Sequence, residues 1–172
     1  MKKILLLLLS LAFTSGVLCA KESRREIRKA REKERMEEVL QMFRNRELRF
    51  IARAAHPMGG GTIHLTSLYN LDVVNDSLST WLPFFGVAYS ADYGGDGGIK
   101  FNEKARFIEF QEKKRGNGIV MEVRTTKEFF RLHLSITRSG FANLVVSGTN
   151  RQSVNFSGIV EKLPQEVKVR NY

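Results

Sequence analysis

From Glu47 onward, hydrophobic and polar residues alternate with a period of two through most of the chain. Leu48, Phe50, Ala52 and Ala54 alternate with Arg49, Ile51 and Arg53, until His56-Pro57 and Gly59–Gly61 end the run. Ile63 and Leu65 alternate with His64 and Thr66. Leu71–Val74 and Leu78–Leu82 flank the turn residues Asn75-Asp76-Ser77. Gly86–Ser90 resumes an extended pattern after Pro83, and Arg106–Lys113 and Ile119–Thr126 surround the hairpin signal Arg115-Gly116-Asn117-Gly118. The cleanest alternation sets Phe130, Leu132, Leu134 and Ile136 against Arg131, His133, Ser135 and Thr137. Ser139-Gly140 then turns the chain into Phe141–Ser147, and Val154–Leu163 is the last such run. Spacing of two sends successive side chains to opposite faces of a sheet, so each run predicts a strand with one buried face.

Eight or nine short strands with no helix between them predict a mainly β fold. The expected form is a single antiparallel sheet, barrel-like or strongly curved, with a two-sheet sandwich as the alternative. One interior must then collect Phe50, Val73, Ile119, Met121, Val123, Phe130, Leu132, Leu134, Ile136, Leu144, Val146 and Phe156, and curling the sheet does this while protecting its edges.

Before the strands the period changes. Lys21–Arg44 is rich in charges of both signs, with opposite pairs such as Arg28–Glu32 and like pairs such as Glu22–Glu26 at helical spacing. Met36, Val39, Leu40 and Phe43 fall on one helical stripe, so the second half of this helix is expected to dock and the first half to stay solvated. The stripe is too short for a coiled coil.

Met1 to Ala20 reads as a secretory signal: Lys2 and Lys3, an apolar stretch, then Leu18-Cys19-Ala20 as a cleavage site. The expected organisation is residues 1–20 signal peptide, 21–44 charged helical arm and 45–172 antiparallel β domain. An exported, periplasmic or cell-envelope location follows, with no transmembrane segment after signal removal. Cys19 is the only cysteine; bulky Leu18 before it disfavours a lipid anchor there, which stands as the alternative. Cleavage after Ala20 leaves neither a disulfide nor a thiol nucleophile. The formal charge of +10 falls to +8 once Lys2 and Lys3 leave, and the excess is spread along the chain. Outside the cytoplasm such a surface meets anionic lipid, polysaccharide or peptidoglycan, with nonspecific surface character as the plainer explanation, and no nucleic acid is expected as a partner.

The densest chemistry lies in residues 81–98, with Trp81, Phe84, Phe85, Tyr89 and Tyr93 among five glycines and two aspartates. Leu82-Pro83-Phe84-Phe85-Gly86-Val87-Ala88-Tyr89-Ser90, then Tyr93-Gly94-Gly95-Asp96-Gly97-Gly98-Ile99 and Phe101, resembles an exported bacterial family. So do His56-Pro57-Met58-Gly59-Gly60 and Asn150-Arg151-Gln152-Ser153-Val154-Asn155-Phe156-Ser157-Gly158. That family is the domain of unknown function numbered 4251. The likeness covers nearly all of the chain beyond the signal. Val87 departs from it, standing where a basic residue is common. The resemblance implies an exported single domain and carries no activity.

Chemistry by motif is sparse. His56, His64 and His133 lack zinc-ligand spacing, and Asp92 and Asp96 lack the alternating ligands of a calcium loop. No phosphate loop or nucleophile elbow occurs. Glu109 and Glu122 are expected to face solvent, and Glu128 and Asp72 carry no distinguishing signal. No cofactor or metal is expected. Two readings remain. In the first, a noncatalytic envelope protein binds a small apolar or amphipathic ligand beside Trp81, Phe84, Phe85, Tyr89 and Tyr93, with Arg151 available to clamp an anion; the opposing view is that these rings fill the core and Arg151 braces a loop. In the second, the basic arm tethers a structural or interaction module to an anionic envelope surface or partner. A hydrolase ranks third, recognisable by converging carboxylates or a histidine-paired hydroxyl.

Overall fold

The computed structural model describes residues 24–89, 97–113 and 116–164. Tyr93, Asp92, Asp96, Cys19 and the proposed signal lie outside the described residues. Among the described residues one helix, α1 (24–44), precedes nine strands: β1 (Glu47–Pro57), β2 (Ile63–Val74), β3 (Ser77–Leu82), β4 (Ile99–Lys104), β5 (Phe107–Lys113), β6 (Gly116–Arg124), β7 (Phe129–Thr137), β8 (Phe141–Gly148) and β9 (Val154–Glu161). They form one antiparallel sheet in the order β4-β3-β2-β1-β9-β8-β7-β6-β5, curled strongly into a half-barrel. All twelve residues assigned to the interior from periodicity are buried there.

The curl follows from how the edges are joined. β4 and β5 are the two outer strands, yet only Ala105 and Arg106 separate them. The Ala105 N–H donates to Asp76 O at 2.7 Å on the β3 side, and the Arg106 N–H donates to Glu122 O at 2.7 Å on the β6 side. The core-packed positions switch parity here, from Ile99, Phe101 and Ala105 to Ile108 and Phe110. One extended segment therefore kinks and hands its pairing from one sheet edge to the other, which holds the edges near each other. Phe101 of β4 stacks on Phe130 of β7 across the interior, 5.4 Å between ring centroids.

Three sequence expectations shift. β4 was hidden behind the glycine-rich segment and not expected as a strand. The Gly116-Asn117-Gly118 signal lies within β6, because Gly116 opposes Thr137 where a Cβ would come within 2.6 Å of Ile136 O. Of the expected Gly86–Ser90 run, residues 86–89 are described and form a single bridge, Ala88 to Arg151, instead of a strand; Ser90 lies outside the described residues.

α1 covers the end of the half-barrel where β1 begins and β9 ends. Its buried stripe is Val39, Met42 and Phe43, while Met36 is more than a third exposed, so the docking face is rotated by about one position from the expected one. Phe43 meets Phe110 edge-on at 5.4 Å, and Arg46 lies over the same ring at 5.2 Å. Arg35 donates to Val160 O and to Glu38 Oε2, and Lys162 reaches Glu38 Oε1 at 3.2 Å. The Arg35 guanidinium beside Glu38 holds that carboxyl below its ordinary range. The first half of α1 is exposed along its length, with Arg28–Glu32 pairing at 3.1 Å as its spacing suggests.

Candidate functional site

At the end opposite α1, the segment following β3 folds over the loop between β8 and β9. The Tyr89 N–H donates to Asn150 O at 2.8 Å, the Gln152 N–H to Val87 O at 3.1 Å, and the Val87 N–H to Gln152 Oε1 at 3.3 Å. Arg151 is the centre of this contact. Its Nε donates to Glu128 Oε2 at 2.8 Å, its Nη1 to Gly97 O at 3.2 Å, and its guanidinium lies 4.9 Å from the Phe84 ring and 5.5 Å from the Phe130 ring. Glu128 is almost wholly buried. Its other oxygen accepts from the Asn150 N–H at 2.9 Å, so both carboxylate oxygens are satisfied.

Local sequence explains how Glu128 arrives there. The Thr125 hydroxyl donates to Glu128 O at 2.9 Å and accepts from the Glu128 N–H at 3.0 Å, closing the β6–β7 turn. Gly148 leaves room on the other side, since a Cβ there would overlap Glu128 Oε1 and sit 2.9 Å from Arg151 Cγ. The guanidinium thus meets one carboxylate, one carbonyl and two aromatic rings, an arrangement that suits Arg and not Lys.

The aromatic candidates therefore separate. Phe84 and Phe85 pack against the core, and Phe84 joins Arg151. Tyr89 is 70% exposed. Trp81 is half exposed, edge-on to Tyr69 at 5.6 Å with Lys100 Nζ 5.1 Å above its ring. These rings do not converge on one pocket among the described residues. Sequence reasoning missed the two buried acids. Asp72 takes a two-pronged bond from Arg49, Nε to Oδ1 at 2.6 Å and Nη2 to Oδ2 at 2.7 Å, which raises the Arg49 pKa further; Glu128 pairs with Arg151. Each pair lies 23 residues apart in sequence, so no spacing rule could find it.

A second feature lies at the α1 end. A surface groove of about 800 Å³ is lined by Arg24, Arg28, Arg31, Arg35 and Arg138 together with Ile27, Met36, Glu32 and Ser139. Ile27 exposes half its surface there. Among the described residues no three of His, Cys, Asp and Glu cluster in a way that could hold a metal, and no helix is long and apolar enough to cross a membrane.

Fold and site together define a strongly curled antiparallel half-barrel with a helix over one end and an internally neutralised ion pair at the other. The chain belongs to the DUF4251 family, a domain of unknown function, whose profile matches residues 30–160. A DUF4251 family protein from Bacteroides eggerthii DSM 20697, known from a crystal structure, shares the fold with a TM-score of 0.60 at 16% identity, over 80% of this chain and 95% of that one. No curated protein matches the chain.

Proposed function

We propose that this chain is an exported interaction module that engages an anionic lipid surface of the cell envelope through α1 and the β7–β8 turn. The observation that carries this reading is the groove in which Arg24, Arg28, Arg31 and Arg138 surround Ile27 and Met36. Guanidinium groups supply attraction to phosphate, and the exposed apolar residues supply a shallow anchor. The basic arm is also the part of the described chain nearest the segment read as an export signal. A small apolar ligand held by Trp81, Phe84, Phe85, Tyr89, Tyr93 and Arg151 is supported less well. Arg151 is engaged with Glu128, Trp81 points outward, and large side chains such as Phe50, Phe156, Leu48 and Leu71 occupy the interior.

Cosedimentation of the chain from Lys21 with phosphatidylglycerol–phosphatidylcholine vesicles tests the proposal. Each arginine near such a surface contributes about 1 kcal/mol, so Arg28→Gln, Arg31→Gln and Arg138→Gln combined should weaken binding roughly 100-fold. Wild-type binding should also fall as salt rises from low ionic strength to ~0.5 M. Equal binding to neutral vesicles, or an unaffected triple variant, would overturn it.

A further inference from the structure

Two of the motifs that carry the family likeness, His56-Pro57-Met58-Gly59-Gly60 and Asn155-Phe156-Ser157-Gly158, meet on the neighbouring strands β1 and β9. Ala55 and Phe156 pair across the strands and are wholly buried, so His56, Asn155 and Ser157 fall on the outer face. There His56 Nε2 lies 2.9 Å from Ser157 Oγ, and His56 Nδ1 lies 3.1 Å from Thr62 Oγ1. The approach depends on an irregularity. The β1 register shifts between Ala52 and Ala54, opposite Gly158, where a Cβ would overlap the backbone at Ile51. A bulge of this kind re-aims the side chains beyond it, and such bulges recur beside reactive sites. Asn155, the next outward residue on β9 and roughly 7 Å along the strand, keeps a buried Oδ1 with no hydrogen-bond partner among the described residues.

We propose that Ser157 is a nucleophile activated by His56, with Thr62 as the positioning residue that fixes the imidazole, and that it accepts acyl groups from esters at the outer, partly exposed sheet face. This goes beyond the surface-docking reading and uses a different part of the molecule. In the step proposed, Nε2 takes the Ser157 proton as Oγ bonds to the ester carbonyl carbon. The carbon–oxygen bond to the alcohol then breaks, and His56 returns the proton to the leaving alkoxide. Water, deprotonated by the same nitrogen, later releases the acyl group as its acid and restores Ser157. The polarity requires the neutral tautomer with its proton on Nδ1, donated to Thr62 Oγ1. Any help from Asn155 to the developing oxyanion would come from its Nδ2–H, since an oxyanion needs a donor.

The test is labelling of the chain from Lys21 with an alkyl fluorophosphonate, followed by mass-spectrometric mapping of the adduct. We expect modification at Ser157, absent in Ser157→Ala and at least tenfold slower in His56→Gln, which keeps a hydrogen-bonding side chain on the outer face. Thr62→Val should slow labelling severalfold, and Thr62→Ser should restore it. No adduct at Ser157, or an adduct forming at equal rate in His56→Gln, would overturn the assignment. An unchanged rate in folded Thr62→Val would overturn the role given to Thr62.

Discussion

Replacing Arg151 by alanine tests the account of the sealed end most directly. The substitution removes the Nε–Oε2 contact of 2.8 Å and leaves the buried Glu128 carboxylate with only the Asn150 N–H on its other oxygen. Removing one member of a buried ion pair costs about 3–5 kcal/mol, because the remaining charge is uncompensated. Loss of the guanidinium from the Phe84 and Phe130 rings adds roughly 0.5–2 kcal/mol. A domain of this size loses roughly 3–4 °C of Tm per kcal/mol, so a fall of at least 10 °C is expected. Urea unfolding of Arg151→Ala, Glu128→Gln and the double variant would give the coupling between the two residues. The double variant should be less destabilised than the two singles added together, since removing both charges leaves neither orphaned. A loss below 1 kcal/mol in Arg151→Ala, or strictly additive singles, would refute the claim that this pair holds the 84–89 segment to the β8–β9 loop.

Further outcomes follow from other contacts. Phe43→Ala removes the ring that joins α1 to Phe110 and should cost about 3–5 kcal/mol in chemical denaturation. Gly158→Ala forces a Cβ into the β1 backbone and should cost about 3 kcal/mol, whereas alanine at Gly59, where nothing lies within 4 Å, should cost little. Folding holds the Glu38 carboxyl below its ordinary pKa, chiefly through Arg35, so the unfolded chain takes up that proton first. The stability Glu38 contributes is therefore present above the unfolded value and lost as pH falls through the folded one; the difference between wild type and Glu38→Gln should shrink to nothing across that acid window. Trp81, the sole tryptophan, is half exposed. Its fluorescence should be quenched by iodide in the folded protein and shift little on unfolding; a blue, shielded emission would place the ring elsewhere.

Periodicity was enough to show where eight of the nine strands lie and which faces most of them bury, because a two-residue repeat is a local property of the backbone. Phe130, Leu132, Leu134 and Ile136 needed no partner to reveal their inward side. The docking half of α1 was also legible, although Met42 replaced Met36 in the buried stripe because the sheet end, not the helix, sets which way the helix turns. Glycines misled twice. The Gly116–Gly118 run looked like a turn and is strand, since close passage over Ile136 O and a tight reversal both call for a missing Cβ. The glycine-rich 94–98 run concealed β4, whose short alternation has meaning only beside β3.

The chain alone thus determined a β domain with one apolar side and a charged helix before it, as well as the family motifs that mark it. Only the tertiary structure decided that β4 and β5 are successive parts of one kinked segment that draws the sheet edges together. It alone paired Asp72 with Arg49 and Glu128 with Arg151, and brought His56 to Ser157, 101 residues away. The physical reason is separation. Face alternation arises from neighbours along the backbone, whereas ion pairs and hydrogen-bonded side chains form between residues whose proximity is fixed by register, bulge and curl.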